Sequence, residues 1–185
     1  MSESIVVLQR RDHSHMQQLF TRYAVETPVE RRATFRELVD LVTTHAFAEE
    51  EVLFPAARRE LGEVGEQITS EIEQQHQRAN ELLKELESYE PGAAEFESRV
   101  RELFPLLESD ARNEEDRLLA ALERELGPRE LEHLGLVWDL ARRAAPNRSH
   151  PGIPRRPPGN VLAGIPLFFV DRMRGLYAKL RNHAQ

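Results

Sequence analysis

His45-Ala46-Phe47-Ala48-Glu49-Glu50-Glu51-Val52-Leu53-Phe54-Pro55 sets a histidine four residues ahead of a glutamate, just before an apolar step and a proline. On a helix, positions i and i+4 share one face. The face that carries His45 and Glu49 also carries Leu38, Val42, Val52 and Ala56. Two side chains able to bind a cation therefore interrupt a stripe that is otherwise apolar. Burying an unpaired imidazole or carboxylate costs on the order of several kcal/mol. A metal ion is one group that satisfies both at once.

Helical periodicity continues on either side of this stretch, and no stretch reads as a strand. Helices are expected over about residues 4–25, 28–60, 65–89 and 93–126, with a shorter one over 128–144. Thr27-Pro28-Val29-Glu30 is a start signal, with a capping Thr, Pro at the first helical position and Glu at the third. Gly62, Pro91-Gly92 and Gly127-Pro128 end helices. Pro55 is expected to kink or shorten the second helix, and Pro105 to bend the fourth. The fold class is all-α: four long helices with short connections imply an up-down-up-down bundle. Trp138, Leu131, Leu134 and Val137 would dock the extra fifth helix on it.

The chain divides into a helical bundle over 1–144 and, over 145–185, a Pro-rich linker and a terminal amphipathic helix at about 163–181. That last helix has three readings: folding back on the bundle, lying on a membrane surface, or binding a protein partner. Folding back is favoured, because Phe168 and Phe169 are otherwise exposed.

Each long helix repeats the interruption. The first stripe runs Ile5, Gln9, His13, Met16, Phe20; the second Leu38, Val42, His45, Glu49, Val52. The third runs Ile68, Ile72, His76, Ala79, Leu83, Leu86; the fourth Phe96, Val100, Leu103, Leu107, Asp110, Glu114, Leu118, Ala121. His13 precedes His45 and Glu49 as His76 precedes Asp110 and Glu114, so two helix pairs would each supply half of a site. Six inward groups are too many for one tetrahedral zinc and suit two cations sharing carboxylates. Mixed imidazole and carboxylate donors favour iron, or manganese, over calcium or magnesium. Glu50, Glu51 and Glu115 read as a solvated face or as partners of the ligands. His15 reads as peripheral, and His133, His150 and His183 as surface residues.

Composition narrows the function classes. With no cysteine in 185 residues, disulfides, thiolate metal sites and thiol catalysis are excluded. The N-terminus has no apolar run of the secretory type, and a cytoplasmic location is expected. The longest apolar run, 161–170, is too short to span a bilayer and contains Gly164 and Pro166. Residues 145–185 hold seven basic residues and one acidic, net +6, and the other 18 basic and 31 acidic residues leave 1–144 at −13. So acidic a body is poor material for nucleic-acid binding. No phosphate loop or nucleophile triad is present.

Asp12-His13, His45-x-x-x-Glu49-Glu50 with Leu53-Phe54-Pro55, His76 ahead of Leu82-Leu83, and Asp110-x-x-x-Glu114-Glu115 resemble the hemerythrin-like, HHE cation-binding domains. The resemblance covers about residues 4–144. Pro157-Pro158-Gly159-Asn160, Leu162-Ala163-Gly164 and Val170-Asp171-Arg172 resemble the C-terminal extension of bacterial members. The resemblance implies two non-haem iron ions in a four-helix bundle, meeting O2 or related small oxidants. By position His13, His45, Glu49, His76 and Glu114 match the family's ligands, with Glu49 and Glu114 as bridges. Asp110 stands where the family carries a histidine. An aspartate there is shorter and anionic, favours the more oxidised iron state, and leaves the occupancy of the second iron open. A further inward histidine of the oxygen carriers would fall at Asn80. The expected function is a protein that binds or senses O2, peroxide or nitric oxide, with Phe20, Phe47 and Leu107 walling the open position. A redox enzyme removing peroxide or oxidising iron, and a metal-free interaction bundle, are the alternatives.

Overall fold

The structure is a computed structural model and describes residues 3–145; the expected linker and terminal helix at 163–181 lie outside the described residues, as do His150 and His183. Helices account for nearly all of this span, with no strand among the described residues. The first long rod is α1 (Ile5–Val25). The second is α2 (Pro28–Ala48), a π-turn (Glu49–Leu53) and α3 (Phe54–Leu61). The third is α4 (Glu63–Leu86). The fourth repeats the second: α5 (Ala94–Asn113), a π-turn (Glu114–Leu119) and α6 (Ala120–Glu125). A fifth helix, α7 (Pro128–Ala144), packs on α1, α2 and the first π-turn. Among the described residues no helix is long and apolar enough to cross a membrane.

Local chemistry sets the helix ends. The Glu30 carboxylate accepts from the Thr27 backbone N–H at 2.9 Å and from its hydroxyl at 2.7 Å, fixing the start of α2. Glu130 closes the start of α7 in the same way, accepting from the Gly127 N–H at 2.8 Å. Gly62 sits at φ 58°, a conformation that turns α3 straight into α4 and that residues with a Cβ adopt only at a cost. At Gly135 a Cβ would lie 2.3 Å from the Glu3 carbonyl oxygen, so only glycine lets α7 reach the start of α1. α5 passes through Pro105 as one helix.

The two π-turns change the expected register. The Phe54 N–H bonds the Glu49 carbonyl, five residues back, so each turn holds one extra residue. Beyond the first, Leu53 and Phe54 are fully buried while Val52 is only partly so. Beyond the second, Leu119 and Leu122 are fully buried and Ala121 is partly exposed. The stripes expected to continue through Val52 and Ala121 thus shift by one position.

The core lies in two apolar clusters. One gathers Met16, Leu19, Leu38, Leu82 and Leu103; the other gathers Ile5, Leu53, Phe54, Ile72, Leu118 and Trp138. Burying each such side chain contributes about 1.5–3 kcal/mol. Between them every rod presents a polar residue: His13 on α1, His45 and Glu49 on the second rod, His76 on α4, Asp110 and Glu114 on the fourth. A charged layer therefore divides the core.

Candidate metal centre

All six sequence-predicted residues meet in this layer, each with under a tenth of its surface exposed. They form two groups. His13, His45, Glu49 and Glu114 bring donor atoms within 4.8 Å of one another, and so do His76, Asp110 and Glu114. Glu114 belongs to both. Its Oε2 lies 3.0 Å from His13 Nε2 and 3.9 Å from His45 Nε2, and its Oε1 lies 3.7 Å from His76 Nε2. Glu49 divides its oxygens the same way, Oε1 lying 3.2 Å from His45 Nε2 and Oε2 3.4 Å from His76 Nε2. Asp110 Oδ2 completes the second group, 3.3 Å from His76 Nε2.

Carboxylates outside the two groups aim the imidazoles. His13 Nδ1 bonds Glu115 at 2.7 Å, His45 Nδ1 bonds Asp12 at 3.0 Å, and His76 Nδ1 bonds Glu50 at 2.9 Å. An ionised carboxylate only accepts, so each Nδ1 carries the proton. In the neutral ring this leaves Nε2 as the lone-pair nitrogen, and all three Nε2 atoms face the centre. The π-turns make this possible. Each turns consecutive acids toward the layer, Glu49 and Glu50 at 0% and 2% exposure and Glu114 beside the part-exposed Glu115, so that one faces the centre and the next holds an imidazole. Of these three carboxylates Glu50 and Glu115 are expected from the sequence as a solvated face or as partners of the ligands, and Asp12 stands in it only as the neighbour of His13. The available signal was adjacency, since each stands next to a predicted ligand in the chain.

The remaining expectations sort clearly. His15 is at the periphery with Glu37, 3.1 Å away, and His133 is exposed. Phe47 is only partly buried; the aromatic beside the centre is Phe54, which the first π-turn brings inward and which stacks on His76 at 5.6 Å. Trp138 docks α7 as expected and meets the His45 ring edge-on at 5.6 Å. Asn80 is buried and donates to the His76 carbonyl at 3.1 Å.

Without a cation the groups must share protons. Burial opposes charge on His45 and His76, but the surrounding carboxylates outweigh it and hold both well above the usual imidazole value. On His13 burial is likewise overcome, by the Glu114 carboxylate 3.0 Å away. Burial pushes the Glu114 carboxyl up, yet the imidazoles of His13, His45 and His76 gathered around it hold it well below the carboxylate range. Burial and the charge of Glu114 raise Glu49 to about 7, and the same two causes raise Asp110.

The donor set fits cations better than it fits itself. His13 Nε2 and His45 Nε2 face each other at 3.3 Å, although neither two lone pairs nor two N–H groups can bond one another. Both oxygens of Glu49 and Oε2 of Glu114 are buried without a hydrogen bond, their nearest nitrogens being close but out of line, and Oδ1 of Asp110 is buried without one as well. Donors about 2 Å from one ion lie within about 4 Å of each other, near the spacing of both groups.

Comparison with known proteins agrees. Residues 4–122 match the family described as hemerythrin HHE cation binding domain. The chain is 27% identical over 135 residues to an uncharacterized hemerythrin-like protein of Schizosaccharomyces pombe, covering 73% of this chain and 66% of that one. It is 32% identical over 134 residues to a Nostoc protein named DNA nickase, covering 72% of this chain but 37% of that one. It thus spans just under two thirds of the first relative and little over a third of the second. A crystal structure of a hemerythrin HHE cation binding domain-containing protein from Mycobacterium kansasii shares the fold, with a TM-score of 0.67 and 19% identity over 76% of this chain and 86% of that one. The chain belongs to the hemerythrin HHE cation-binding domain family.

Proposed function

We propose that the two groups hold a pair of iron ions, with His13, His45, Glu49, His76, Asp110 and Glu114 as ligands, and that the protein binds or senses O2, peroxide or nitric oxide. One observation carries this reading: Glu49 and Glu114 each direct one oxygen to the His13–His45 side and the other to the His76 side. Two carboxylates divided in this way suit two cations held side by side. When bound, iron supplies reversible ligand binding and one-electron chemistry toward small oxidants.

The chain's residues do the rest. Glu115, Asp12 and Glu50 keep three imidazoles oriented and hold the Nδ1 protons. Phe54 and Trp138 wall the layer, excluding water from the imidazoles they cover. The first group offers two imidazoles and the second one, so the second is the more oxygen-rich. The name of the Nostoc relative speaks of DNA, but residues 1–144 carry a net charge of −13, which repels a phosphate backbone. The small-molecule reading is favoured on that ground.

Anaerobic ferrous loading with metal analysis tests the proposal, the expected uptake being two ions per chain. O2, nitric oxide or peroxide is then added while visible absorption is followed. A lasting spectral change without turnover fits a binder, and steady peroxide consumption fits the enzyme reading. A chain that takes up no iron and melts identically with and without it is a metal-free bundle.

A further inference from the structure

α7 lies beyond the residues that match the family, yet it reaches the centre. Arg142 Nη1 donates to Asp12 Oδ1 at 2.9 Å. Asp12 Oδ2 in turn accepts from His45 Nδ1 at 3.0 Å. A guanidinium, a carboxylate and an imidazole thus form one chain from α7 through α1 to α2, ending at a nitrogen that faces the first group. One turn earlier on α7, Trp138 lies under the Arg142 guanidinium at 5.2 Å and against His45 at 5.6 Å.

Asp12 needs this partner more than Glu115 does. The Glu115 side chain is 35% exposed and keeps water on its carboxylate, whereas that of Asp12 is 6% exposed. A buried carboxylate left with a single neutral donor loses more in desolvation than it recovers, and it turns away toward solvent. That movement releases the Nδ1–H of His45.

We propose that Arg142 is a positioning residue of the metal centre: by pairing with Asp12 it fixes His45, so that α7 is part of the site rather than a packing appendage. The inference rests on the reading that the first group holds a cation.

Cobalt(II) binding to the full chain, followed by visible absorption in competition with a chelator, provides the test. Arg142→Met keeps the apolar stem over Trp138 and removes the charge. It is expected to weaken one of the two cobalt sites by about 10–100-fold, the usual cost of losing such a partner, and to leave the other nearly unchanged. Arg142→Lys should recover most of the loss. Arg143→Met, on the same helix but paired with Asp139, should bind as the native chain does. Asp12→Asn should reproduce the loss, and adding Arg142→Met to it should cost nothing more, because the arginine acts only through that carboxylate. A purely structural role in docking α7 would make the two losses add, and that result overturns the inference. So does native affinity in a folded Arg142→Met chain. Should that variant fail to fold, Arg142→Gln, which keeps a donor without charge, decides by the same criterion. A native chain that binds no cobalt defeats the metal reading itself, whereas native binding unaffected by Arg142 defeats only this step.

Discussion

Asp110 is the residue at which the two halves of the centre part. The first group pairs His13 with His45; the second pairs His76 with Asp110, and Glu49 and Glu114 lie between. An aspartate donor adds negative charge beside Glu114; burial first, and the charge of Glu114 second, push Asp110 up as they push Glu49. Replacing Asp110 by histidine removes that repulsion and supplies a donor better matched to a divalent transition metal. If the second group holds a cation as proposed, Asp110→His should therefore tighten it by about tenfold or more, seen as a lower chelator concentration range no longer stripping it. Unchanged stoichiometry and affinity would count against Asp110 as a ligand. Glu114→Gln should weaken both sites, since its oxygens face both, while Asp110→Asn should weaken one; metal analysis of the two variants separates them. The six candidate ligands were legible because each breaks an apolar stripe. Which acid supports which imidazole was not, because helix rotation decides it: Asp12 follows α1 around to His45, not to its neighbour His13. Arg142 was invisible for a related reason, being 130 residues from the carboxylate it holds.

At the scale of elements, helix starts and stops were legible and the π-turns were not. Thr27-Pro28-Val29-Glu30, Gly62 and Gly127-Pro128 act through neighbours a few residues away, and chemistry at that range is visible in a sequence. One inserted residue in a rod leaves the apolar periodicity intact on both sides and only offsets the two halves. The offset is visible in hindsight as Glu49-Glu50, adjacent acids both buried where an α-helix would bury only one, and as Glu114-Glu115, of which the second is part-exposed yet still reaches His13. Pro55 belongs to the same device: it opens α3 immediately after the first π-turn, where its missing N–H costs least. If the turns exist to aim consecutive acids inward, shortening one should harm the site more than the fold. Asp116 is exposed within the second π-turn. Its deletion should restore an α-helical register, preserve helicity by circular dichroism, and weaken metal uptake by at least about tenfold, as lost orienting contacts do. Asp116→Ala, which keeps the chain length, should change stability by no more than about 0.5 kcal/mol. A deletion variant that binds iron normally would show the turns to be incidental.

Across the whole molecule, two apolar clusters hold together a layer that repels itself. The clusters supply the stability, and the layer withdraws part of it in a way that depends on protons. For the metal-free protein the sign is set by the direction of each shift. His13, His45 and His76 are raised in the fold, so their contribution is fully present below about pH 6.5 and is lost as pH rises through the folded values. Glu49 is raised to about 7, so ionising it costs stability progressively as pH climbs from its usual value to that point, and Asp110 acts in the same direction. Of the six, Glu114 alone is lowered, and its stabilising contribution is lost only on acidification below the usual carboxylate range. Above about pH 5 all but Glu114 therefore act together, and the metal-free chain should melt at a falling temperature as pH rises. A cation reverses the trend. It takes the place of the imidazole protons, binds more tightly as they leave, and stabilises by RT ln(1 + [L]/Kd), about 2.7 kcal/mol at a hundredfold excess over Kd. At about 2–4 °C per kcal/mol for a chain of this size, that is a rise of roughly 5–10 °C. Calorimetry of metal-free and ferrous-loaded protein should then give a gap in Tm that is small near about pH 6 and widens toward about pH 8. A gap that narrows with rising pH would mean that the cation sits elsewhere than among these imidazoles.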